Sequence, residues 1–211
     1  METIRTRAKD LLPSVLLTLL SIIQALAIEL LWTRLHENSY LWEAGWVSVL
    51  GWTQAAVMLL GIFQVWLFYT SLVMRFRWVP SVRDSALPFV IGILEFTLID
   101  LMGPAYLALW LCTLAVIFAV SVWESQTIFR RARRDPENRE FFETLSPARL
   151  RDFASSIGEI SGLVLFGVLL YVTGSPPWLS FAGLLFATGA LAHQIYENSR
   201  YWERSMSGSP V

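Results

Sequence analysis

Glu159 and His193 have the residue types and the spacing for proton exchange, because an imidazole titrates near neutral pH and a carboxylate can accept its proton. Glu159 lies about 16 residues before the Ser175-Pro176 turn and His193 about 17 after it, so at 1.5 Å per helical residue they reach similar depth on adjacent antiparallel helices. The pairing predicts either a proton-responsive cluster or a hydrogen bond that locks the two helices. Glu197 falls four residues after His193, on the same side of its helix.

Glu95 sits in Gly92-Ile93-Leu94-Glu95-Phe96, the middle of an apolar stretch with no basic residue at its depth. Ionisable groups placed so usually face a protein interior or a water-filled path. Glu95 is expected to be protonated, hydrogen-bonded to Gln or Thr side chains, or open to water and cations. Asp100, five residues further out, is expected to border the same widening cavity, and Glu29 completes an outward vestibule. Gln24 and Gln54 count to similar depth across the first helix pair and are expected to hydrogen-bond to each other. Gln64 is read with them, as a polar lining or an interhelical contact.

The elements that position these groups follow from the gaps between charges. Residues 11–28, 44–74, 101–123 and 160–196 contain none, and only 16% of the chain is charged. Soluble domains carry roughly a quarter charged residues, and a mean hydropathy of +0.53 leaves too little polar surface for a water-soluble globule. Crossing the hydrocarbon layer takes about 20 apolar residues, so the last gap is two spans, broken at Gly174-Ser175-Pro176-Pro177. Gly103-Pro104 divides the third region in the same way. The expected fold is all-α and polytopic, with six transmembrane helices in three antiparallel hairpins. The spans are about 11–34, 45–73, 86–102, 105–124, 156–173 and 178–195. No period-2 alternation supports a membrane barrel.

Of the sixteen Lys and Arg residues, all but Arg34 fall on one side of this arrangement, which the positive-inside rule makes the cytoplasm. Both termini are therefore expected there, with a cytoplasmic tail over 197–211. The arginine-heavy loops fit a bacterial inner or plasma membrane. The basic start, the first apolar run and Ala25-Leu26-Ala27 imitate a cleaved signal peptide, but the run continues through Leu30, Leu31 and Trp32, too far for that role.

The connector 125–155 is the one sizeable polar region. Asp135-Pro136 and Ser146-Pro147 each read as an N-cap followed by proline at the first helical position. Phe141, Phe142, Leu145, Leu150 and Phe153 give these short helices an apolar side to lay on the membrane. Arg130, Arg131, Arg133 and Arg134 form a cluster suited to anionic lipid headgroups. The same connector could dock a protein partner. Basic residues that hug the membrane do not make a nucleic-acid surface.

Gly158-xxx-Gly162, with Gly183, Ala187 and Ala190, predicts close packing within the last helix pair. Leu12-Pro13-Ser14-Val15 and Leu87-Pro88-Phe89-Val90 open the first and third spans alike, a faint repetition of the kind transporters carry. A single cysteine, Cys112, and two histidines exclude a disulfide or a multi-histidine metal cage within one chain. No phosphate-binding glycine loop, zinc-protease motif or nucleophile elbow occurs, and no cofactor is implied. The leading expectation is an oligomeric channel or transporter for a proton or small cation. A non-conducting scaffold or signalling subunit follows, and a lipid-acting membrane enzyme comes third.

Overall fold

Uncharged stretches this long can satisfy their backbone groups in lipid only as helices, and helix is what they form. The computed structural model describes residues 2–143 and 153–207, and among these there is no strand. Six long helices and one short one follow in order: α1 (Glu2–Glu37), α2 (Trp46–Arg75), α3 (Val82–Asp100), α4 (Leu107–Ala132), α5 (Arg139–Glu143), α6 (Ala154–Thr173) and α7 (Pro177–Ser207). Five of them, α1, α2, α4, α6 and α7, are long and apolar enough to cross a membrane.

The turns stop the helices where the sequence leads one to expect. Gly103 takes a φ of 128° and Gly174 a φ of 74°, backbone that disfavours any side chain. α3 opens on a capping box in which Ser81 and Asp84 satisfy each other's backbone amides. Helix ends extend beyond the expected spans, most of all in α7, which continues to Ser207. α1 carries Arg34 in its last turn rather than in a connection.

Consecutive helices touch, but the most extensive contacts join helices that are not successive spans: α4 with α6, α2 with α7, and α1 with α3. Together the contacts close a ring, running α1, α3, α4, α6, α7, α2 and back to α1. The two ends of the ring hold different cores. One cluster, built on Ile99, Leu107, Trp110, Leu111 and Leu184, fills the end away from the arginines. The other, built on Tyr69, Phe76, Trp78 and Ile128, fills the arginine-rich end.

The described part of the connector is bound to the bundle. Asp135 caps its turn by accepting from the Glu137 amide, with Pro136 next, as the sequence predicts. Phe141 and Phe142 do not lie out on a membrane surface. They pack on Phe76, at ring-centre distances of 4.9 and 5.5 Å, because that ring would otherwise lose its cover at the end of α2. Asn138 donates to the carbonyls of Arg77 and Ala132 at 2.6 and 2.8 Å. Lys9 pairs with Asp135 at 2.6 Å, while Arg77 bridges Glu137 at 2.8 Å and Asp10 at 2.9 Å. The Arg77 guanidinium, with Lys9, holds the Glu137 carboxyl below the usual glutamate range. The second N-cap, at Ser146-Pro147, and Leu145 and Leu150 lie outside the described residues.

Candidate functional site

Gly92 decides where Glu95 goes. A Cβ on this glycine would come within 2.5 Å of Ile23, so only glycine lets α1 and α3 approach this closely. That approach sets Gln24, the residue after Ile23, beside Glu95, one turn beyond Gly92. Gln24 donates to Glu95 Oε2 at 3.0 Å. Glu95 is 2% exposed, and its Oε1 has no hydrogen-bond partner among the described residues. The sequence expectation of hydrogen bonding to an amide is met by Gln24, not by a cation.

Glu95 lines a cavity of about 30 Å³ inside the ring, bounded by α2, α3, α4 and α7. That volume suits a species the size of a water molecule and nothing larger. Its polar walls are Glu95, Gln64, Ser121 and Gln194; Leu98, Met58 and Leu114 close it with apolar surface. Gln64 is buried, and its Oε1 is also without a partner. The unpartnered atoms of Glu95 and Gln64 are therefore both acceptors. The site is short of protons, which favours a proton, a hydrogen-bond donor or a small cation over an anion.

No known protein family, curated protein or solved structure matches the chain. Its chemistry must therefore be read from its own geometry.

The predicted partners Glu159 and His193 meet across α6 and α7, with His193 Nδ1 2.8 Å from Glu159 Oε1. Helix contact at this depth rests on Gly162, where a Cβ would run into the Phe186 ring of α7. Gly158 plays no such part, since nothing lies within 4 Å of a Cβ placed there. The other oxygen of Glu159 accepts from Gln194 Nε2 at 2.9 Å. Gln194 also lines the Glu95 cavity, so one amide joins the pair to the cavity. The His193 side chain is 45% exposed and marks the outer edge of this chain of polar groups. Glu197 turns to Arg200 instead, at 3.5 Å.

Other expectations are corrected. Gln24 and Gln54 do not bond to each other: Gln54 Oε1 accepts from the Gly103 amide at 3.0 Å, because the turn between α3 and α4 leaves that donor without a helical partner. Asp100 shares no cavity with Glu95. It is exposed and pairs with Arg34 at 2.5 Å, drawn there because α1 extends a turn past its expected end. Glu29 lies on the uncovered face of α1, with no side-chain partner among the described residues. In the arginine cluster, Arg130, Arg133 and Arg134 are exposed, but Arg131 is not free for a headgroup. It bonds Asp84 at 2.7 Å and Ser81 Oγ at 2.7 Å, since buried Asp84 requires a cation.

One buried pair had no counterpart in the sequence reading. Tyr69 donates its hydroxyl hydrogen to Glu124 Oε2, and each residue is 1% exposed. Glu124 stands next to Trp123, where the uncharged stretch ends, and so passes for an ordinary boundary residue. The available signal was its spacing, three residues after Ser121, which places it on the inward side of α4.

Proposed function

We propose that the protein is an integral membrane channel or transporter for a proton or small cation, with Glu95 as its central binding group. The observation that carries this reading is the Glu95 carboxyl group, deep in a six-helix ring. Among the described residues it has one amide donor, no cation, and a free oxygen on a water-sized cavity. A carboxyl held only as a structural link would have little reason to face such a cavity, and polar groups at this depth are expensive.

The Gln194–Glu159–His193 series supplies a polar connection from the cavity toward one end of the ring. In the proposed orientation that end, rich in arginine, is cytoplasmic. α3 then serves as a sixth span. Its 19 residues reach about 28 Å, and its ends are held by the Asp84–Arg131 and Arg34–Asp100 ion pairs. Glu29, unmet by any side chain among the described residues, favours assembly with further copies, as does the small number of helices.

Reconstitution into liposomes tests the reading. Proton or alkali-cation flux should exceed that of empty vesicles and fall to their level in Glu95→Gln. Absence of flux from the wild-type protein, or full flux in Glu95→Gln, overturns it. A non-conducting scaffold is the second reading. It is favoured by a groove of about 390 Å³ at the connector, lined by Arg133, Arg134 and Arg139, and it predicts no flux at all.

A further inference from the structure

We infer that Tyr69 and Glu124 form a second proton-binding station on the path through Glu95, one helical turn nearer the arginine-rich end. Glu124 is the carrying group and Tyr69 its positioning residue. The inference rests on the reading of Glu95 as a proton carrier and extends it.

Two walls of the Glu95 cavity lead to this pair, and the third carries a further polar group. On α4, Ser121 lines the cavity and Glu124 follows three residues later on the same face. On α2, Gln64 and Val65 line it, and Tyr69 follows Val65 by four. Tyr69 lies within electrostatic reach of Glu95 as well as of Glu124. On α7, Gln194 lines the cavity and Asn198 follows by four. Asn198 Oδ1 accepts from Ser71 Oγ at 3.0 Å, and Arg75 donates to the Ser71 carbonyl at 2.9 Å. Polar residues therefore recur at successive turns from the cavity to the end of α2.

Glu124 does not line the cavity, but its own setting is like that of Glu95. It is buried, one oxygen accepts from a neutral donor, and Oε1 is unpartnered. No cation among the described residues pairs with it. The charged and titratable groups facing it are Tyr69 from α2 and Asp84 from α3, and Asp84 is already matched by Arg131. A carboxyl kept only to tie α2 to α4 needs one oxygen. The second is free to take a proton.

The transfer balances without a redox partner. The O–H bond of protonated Glu95 breaks and its proton passes to a water molecule. That water delivers a proton to Glu124 Oε1, where a new O–H bond forms. Glu95 is left as a carboxylate, Glu124 becomes the neutral acid, and the water is restored. Tyr69 keeps its own proton and donates its hydrogen bond throughout.

The test compares wild type, Glu95→Gln, Glu124→Gln and Tyr69→Phe in proteoliposomes driven by a potassium diffusion potential, with infrared titration of protonated carboxyl bands in detergent. Glu124→Gln should lower proton flux about ten-fold or more, equivalent to about 1.4 kcal/mol at the limiting step. Tyr69→Phe should lower flux less than Glu124→Gln does and move the midpoint of its pH profile by roughly one pH unit. One carboxyl band should vanish in Glu124→Gln and shift in Tyr69→Phe. Full flux in Glu124→Gln with an unaltered pH profile overturns the inference while leaving Glu95 in place. If wild type conducts no protons, the proposed function fails, and the infrared bands alone decide whether Glu124 binds a proton. Should Glu124→Gln fold poorly, an unmoved midpoint and unmoved band in Tyr69→Phe overturn it instead.

Discussion

The two ends of the helix ring are built on opposite rules. Toward the arginines, each level holds a polar group turned inward: Gln64, Ser121 and Gln194 at the cavity, Tyr69 and Glu124 a turn further, then Ser71 with Asn198, and Asp84 with Arg131. In the other direction the interior beyond Leu98 is packed with Leu107, Trp110, Leu111 and Leu184, all at most 1% exposed. Its polar groups include Gln54, which accepts from the Gly103 amide, the buried Tyr40 hydroxyl, Trp110 Nε1 and Ser180, and an Arg34–Asp100 pair at the rim. Glu95 stands at the boundary between the two. The proposed binding group therefore has polar side chains on one side and close apolar packing on the other.

Five substitutions and one matched control sharpen or break this contrast, in decreasing order of effect. Arg131→Met should be the most destabilising, by about 3 kcal/mol, because it leaves buried Asp84 without its cation. Asp84→Asn should cost less, since the Arg131 side chain is 26% exposed and can turn to water. Unfolding in detergent followed by circular dichroism would measure both, and equal losses would refute the argument from burial.

Leu111→Ala, in the dry end, should cost about 2 kcal/mol, the low end of the range for a buried leucine. In lipid the helices are held by packing contacts more than by escape from water, so the void left by Leu111 carries most of the penalty. A loss below 0.5 kcal/mol in the same assay would mean the seal is loose.

Gly167→Ala should cost about 1–2 kcal/mol through overpacking, since its Cβ would stand 2.9 Å from the Ala108 carbonyl, backbone that cannot swing aside. Gly158→Ala, with open space around it, is the matched control and should leave the unfolding midpoint unchanged.

The smallest effect belongs to the exposed ion pairs of the connector. The Glu137 carboxyl is held below its ordinary range by Arg77 and Lys9, so its contribution is complete at neutral pH. It is lost as pH falls through the lowered range, because the native state then binds the proton last. Glu137→Gln should flatten the acid limb of the stability profile slightly, and 0.5 M salt should erase the difference between variant and wild type.

Much of this was legible beforehand where one helix, or one turn between two helices, decides the outcome. The depth match of Glu159 and His193 followed from counting along two helices joined by a fixed turn. The Asp135-Pro136 cap followed from local chemistry. Prediction failed where a partner came from a distant helix. Gln24 and Gln54 matched in depth but not in direction around the axis, and the close approach at Gly92 turned Gln24 toward α3 instead. Arg131 read as one of four equivalent surface arginines until Asp84, 47 residues away, claimed it.

The sequence by itself determined that long uncharged helices form, how deep each polar residue lies along its own helix, and where the turns fall. These depend on rise per residue, backbone satisfaction in lipid and the spacing of charges. The tertiary structure alone decided which helix neighbours which, and hence that Glu95, Gln64, Ser121 and Gln194 share one cavity while Asp100 does not. Depth is a one-dimensional quantity carried by the chain; facing is set by how small residues such as Gly92 and Gly162 let neighbours approach, and no local pattern encodes that.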